Sequence, residues 1–77
     1  MITAAQIRAA RALLHWSAKN LAEESGVGWR TIQRLETFEG APPVHLQTLI
    51  KLKEALENAG VVFIDANGSG PGVCLRK

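Results

Sequence analysis

Apolar residues recur at helical spacing along most of this chain, and the pattern changes near residue 60. Ile7, Ala10 and Leu14 share one helical face, which Leu13 widens, so Ala4 to Leu14 is predicted as a helix. Thr3 stands ahead of it as N-cap, with Gln6 at the spacing of a capping box. Trp16, just past this helix, reads as a core residue between helices. Ser17 is a natural N-cap for a second helix, on which Leu21, Ala22 and Ser25 share a face. Gly26 can take φ > 0 and stop that helix without a Cβ penalty, and Val27 follows as an apolar plug. A third helix, about residues 28–37, turns Ile32 and Leu35 inward from a Gly28 N-cap. Phe38 to Pro43 breaks the helical pattern, because Pro bars helix continuation.

The last helix is predicted over Val44 to Ala59. Its apolar set, Leu46, Leu49, Ile50, Leu52, Leu56 and Ala59, is wider than one stripe and suits burial on two sides. Gly60 fits the position just past its end. Val61 to Ile64 is then β-branched and aromatic, Asp65 to Pro71 is turn chemistry around Asn67-Gly68, and Gly72 to Arg76 reads as a second strand. In such a hairpin Val61, Phe63, Val73 and Leu75 would face inward, and Val62, Ile64 and Cys74 outward.

The polar remainder of the third helix is what points to chemistry. Trp29, Arg30, Gln33 and Arg34 lie off the Ile32–Leu35 face. Arg and Gln are side chains that read base edges in a major groove, and Arg also holds phosphate. Trp29 has two readings: contact with a sugar-phosphate backbone or a thymine methyl, or packing against a neighbouring helix. Arg8 and Arg11 lie off the stripe of the first helix and read as a solvated or structural face. Glu23 and Glu24 read as solvent-facing.

The small Ala22, Gly26-Val27 at the turn, then Ile32, Leu35 and Glu36 give the stretch from Ala18 to Thr37 a spacing that resembles the helix-turn-helix of the phage repressor and Cro family of transcriptional regulators. The upstream IRAARALLHWS and the downstream HLQTLIKLKEAL resemble flanking helices of that family, so the resemblance spans about Thr3 to Gly60. It implies a mainly α fold, a repressor-like bundle of four or so helices over residues 1–60; the hairpin of residues 61–77 is read, from its unpaired edges and the wide apolar last helix, as a dimerisation extension of the same domain. It also implies that Arg11 pairs with Glu36, and that Lys19, Gly28, Trp29, Arg30, Gln33 and Arg34 meet double-stranded DNA. Three positions depart from the family: His15 and Gly28 replace its usual Gly and Ser, and Ala18 replaces a Gln that helps hold phosphate. Lys19 could supply the contact that Ala18 cannot.

Composition bounds the rest. The 77 residues make one small domain, 47% hydrophobic, with a net charge of +2 that permits nucleic-acid binding without demanding it. Cys74 is the sole cysteine, and neither a signal segment nor a long apolar run is present, so a soluble cytoplasmic protein without a membrane partner is expected. His15 and His45 are isolated, Cys74 lacks a nearby base, and no metal or phosphate-cradling motif appears; an enzyme, a metal site and a cofactor are not expected. The leading expectation is a small transcriptional regulator, a repressor or an antitoxin-like protein with a toxin partner, acting as a homodimer through its last helix and hairpin. The alternative is a protein-interaction module with a degenerate helix-turn-helix, motivated by Ala18, Gly28 and Trp29.

Overall fold

The computed structural model describes residues 2–38, 44–65 and 70–76. Four helices, α1 (Ala4–Leu14), α2 (Ala18–Ser25), α3 (Trp29–Leu35) and α4 (Leu46–Asn58), precede a two-stranded antiparallel sheet of β1 (Val61–Ile64) and β2 (Gly72–Leu75). Most of the loop expected at Phe38–Pro43 (residues 39–43) and the centre of the turn expected at Asp65–Pro71 (residues 66–69) lie outside the described residues.

Local chemistry sets the first two helices. The Thr3 hydroxyl accepts from the Gln6 backbone N–H at 3.1 Å, and Gln6 Oε1 accepts from the Thr3 N–H at 2.8 Å. Ser17 and Asn20 make the same reciprocal pair at the start of α2, at 3.0 and 2.9 Å. α1 ends on His15 at φ 57°, so the chain takes the left-handed route without a glycine. α2 ends on Gly26 at φ 74°, where the Gly26 N–H donates to the Ala22 carbonyl. α4 begins at Leu46, two residues after the predicted start, because His45 is still extended at φ −61°, ψ 148°.

Ile7, Leu21, Ile32, Leu35, Leu52, Leu56 and Val61 form the centre of the core, each contributing about 1.5–3 kcal/mol by its burial. α2 packs against α3 and α4, and the hairpin lies against α1 and α4. Trp16 is half-buried against this core, as a residue between helices should be. Leu13 does not widen the inner face of α1: it is 37% exposed, and Leu14 alone of the pair packs inward. Leu13 lies one helical step, about 100°, from Leu14, which turns it past the edge of the buried stripe.

The hairpin register pairs Val61 with Leu75, Val62 with Cys74, Phe63 with Val73 and Ile64 with Gly72. Partners in such a ladder share a face, so the division into inner and outer residues is the expected one. Val61, Phe63 and Val73 pack on the core. Leu75 does not: it is 42% exposed. Gln6, itself buried, donates through Nε2 to the Ile64 and Gly72 carbonyls at 3.2 and 3.0 Å, anchoring α1 at that end of the ladder. Leu75 sits at the opposite end.

Candidate nucleic-acid interface

α3 is seven residues long, too short to be stable by itself, and its position comes from its neighbours. Ile32 and Leu35 are fully buried and fix which side faces the core. Its C-terminal end is held by two arginines of α1. Arg11 Nε and Nη2 form a two-pronged bridge to the Glu36 carboxylate at 2.8 and 2.7 Å, and Arg11 Nη1 donates to the Trp16 carbonyl at 2.9 Å. Arg8 Nη1 donates to the Glu36 carbonyl and, at 3.2 Å, to the Phe38 carbonyl. Carbonyls at a helix end lack intrahelical partners, so this guanidinium satisfies groups at and just beyond the end of α3. The hydrogen bond and charge of Glu36 raise Arg11 above its ordinary pKa, outweighing the opposing effect of burial. Both arginines are therefore structural, and Glu36 is neutralised within the fold.

The opposite side of α3 is left exposed. With Ile32 and Leu35 inward, helical geometry puts Arg30 at the middle of the outer face. Gln33 and Trp29 lie to one side of it, and Arg34 and Thr31 to the other. Arg30, Gln33 and Arg34 are exposed, and their side chains make no hydrogen bond or ion pair among the described residues. Gly28 caps α3 at φ −60°, ψ 139° without a side-chain bond. A Cβ there would meet only the Thr31 hydroxyl, at 3.8 Å, so the fold does not require glycine for space.

Each flank of this face is defined by a second element. On one, Trp29 is 40% exposed, and the Lys19 ammonium of α2 stands 5.3 Å from its ring centroid. On the other, Thr31 and Arg34 line a notch of about 390 Å³ with Val44 and His45, just ahead of α4, and Thr48 in its first turn. The fold thus brings Lys19, Trp29, Arg30, Gln33, Arg34 and Gly28 onto α3 or its border. Sequence reasoning passed over Thr31, His45 and Thr48, whose meeting depends on how α4 returns against α3. Glu23 and Glu24 are exposed on the last turns of α2, where they border Trp16 and Asn20.

No protein-family model matches the chain, and no curated protein gives a significant match. Among the described residues, no group of three His, Cys, Asp or Glu side chains could hold a metal ion, and no helix is long and apolar enough to cross a membrane.

A second surface is apolar. Leu46 and Ile50 of α4 are 58% and 44% exposed, and with Ile2, Leu49 and Lys53 they line a groove of about 280 Å³. Val62 and Ile64 are exposed on the outer face of the hairpin, beside the free Cys74.

Proposed function

We propose that this protein binds double-stranded DNA in a sequence-specific way, as a small transcriptional regulator of the repressor or antitoxin-like kind. In this reading α2, the Gly26–Gly28 connection and α3 are a helix-turn-helix, and α3 enters the major groove. The observation that carries it is the outer face of α3. Two arginines and a glutamine stand there with no structural task among the described residues, on a helix whose C-terminal end is held by Arg8 and Arg11 of α1. Arg30 and Gln33 are assigned to base edges, Arg34 and Lys19 to phosphates on the two flanks, and Gly28 to close approach of the backbone. Trp29 joins the interface from the Lys19 side.

Two copies act together in this reading. The Leu46–Ile50 stripe and the outer hairpin face are apolar surface of the kind that a two-fold contact buries, since the same patch on each copy meets itself. Such a dimer would set two copies of α3 on successive turns of one groove.

The test is a titration of the full chain against a labelled random-sequence duplex as salt is raised. A dimer placing about two cations per copy on phosphate should lose about a hundredfold in affinity between roughly 50 and 200 mM salt. Absence of duplex binding at the low end would overturn the reading, and would favour a protein-interaction role for the same surface.

A further inference from the structure

We infer that Trp29 reads thymine, through the C5 methyl group, and that Lys19 is the positioning residue that holds the indole for this task while its ammonium meets the adjacent phosphate. The inference rests on the DNA-binding reading above and names what one residue of that interface recognises.

Trp29 is the first residue of α3, and the N-terminal residues of a helix lying in the major groove are those that contact base edges. Its ring is neither core nor fully open. Lys19, from the first turn of α2, stands over it at 5.3 Å from the centroid, while 40% of the residue remains exposed. With the Lys19 ammonium over one face, the ring edge and the other face are left for contact. Base pairs in an intact duplex offer the groove only their edges. Among those edge groups, the thymine C5 methyl is the apolar one, and an apolar side chain is its natural partner. Indole is a donor only, through one N–H, so it cannot make the two-point bond that Gln or Arg makes to a purine. Arg30 and Gln33, next to it on the outer face, carry that kind of contact, and Trp29 adds one of different chemistry.

The position of Lys19 fits the second half of the inference. A cation attracted by the indole face costs little to keep there, and it restricts the ring to fewer orientations. Lys19 also sits among the first amides of α2, an eight-residue helix, and on the flank of the α3 face, where one DNA backbone would pass.

The experiment uses a duplex enriched from a random pool by the full-length protein, resynthesised with deoxyuridine in place of thymidine. Uracil pairs as thymine does and lacks only the methyl group. Wild-type protein should bind the uracil duplex about fourfold more weakly for each methyl that Trp29 covers, the change expected for exposing one CH₂-sized group. Trp29→Ala should bind both duplexes equally, and Trp29→Phe should keep part of the difference; circular dichroism checks that each variant is folded. Lys19→Ala should shrink the thymine preference and lower the salt slope by about one for each bound copy, about two for the dimer, and Lys19→Arg should restore both. Equal binding of the two duplexes by wild-type protein would overturn the inference and leave DNA binding standing. So would an enriched site without thymine, a preference unchanged in Trp29→Ala, or a Lys19→Ala variant that alters neither quantity. Absence of any enriched duplex would overturn the DNA reading, and this inference with it.

Discussion

Two residues end helices in the left-handed region, and they predict opposite outcomes. Gly26 lies at φ 74° with no atom within 4 Å of where a Cβ would stand. Replacement there is therefore penalised by backbone torsion alone, without a clash. Gly26→Ala should cost about 1–2 kcal/mol and lower the thermal midpoint by roughly 5–10 °C, with Gly26→Val costing more. An unchanged midpoint would mean that the α2–α3 connection does not have this conformation. His15 takes φ 57° with a side chain, and glycine there should relieve strain. His15→Gly should raise the midpoint by a few degrees, less than Gly26→Ala lowers it, because glycine also adds entropy to the unfolded chain. The need at Gly26 was legible in the sequence, since the residue just past the second helix is a glycine followed by an apolar plug. Trp29 was not legible. Its ring lies beside Lys19, ten positions earlier on another helix, and no local spacing encodes that pairing.

At the scale of elements, one capping box, N-cap residues and apolar stripes gave the first three helices, because their signals are local. They misplaced three details: α4 starts two residues later than expected, because His45 is still extended, and Leu13 and Leu75, expected to face inward, are exposed. The capping role of Gln6 was readable from Thr3-x-x-Gln6, but its second role was not. The same amide that caps α1 donates to both strands of the hairpin, 58 and 66 residues away. Gln6→Ala strips the carbonyls of Ile64 and Gly72 of that donor and leaves the Thr3 N–H without its acceptor. It should cost about 1–3 kcal/mol, concentrated in the hairpin. Hydrogen exchange of the β1 and β2 amides measures this: protection there should fall more than in α2. Uniform loss, or none, would mean that Gln6 does not fasten the hairpin.

At the scale of the whole molecule, nine cations and seven acids nearly cancel, so location decides what charge can do. Arg8 and Arg11 are spent on the end of α3, and Lys19, Arg30 and Arg34 remain on or beside its outer face. The excess apolar width of the last helix was legible in the sequence; its outlet is the Leu46–Ile50 stripe. If that stripe is the two-fold contact, Leu46→Glu with Ile50→Glu should give a folded monomer where the wild type sediments as a dimer at tens of micromolar. A wild-type monomer under those conditions would end the dimer proposal. The central claim, that the outer face of α3 reads DNA sequence, is tested most directly by selection from random duplex DNA with the purified full chain. It predicts an enriched, two-fold symmetric site with half-sites about 10 base pairs apart. Affinity for it should fall by about 1–3 kcal/mol in Arg30→Ala and in Gln33→Ala, with folding unchanged. A selection that enriches no sequence, or a site bound equally well by both variants, would contradict the account.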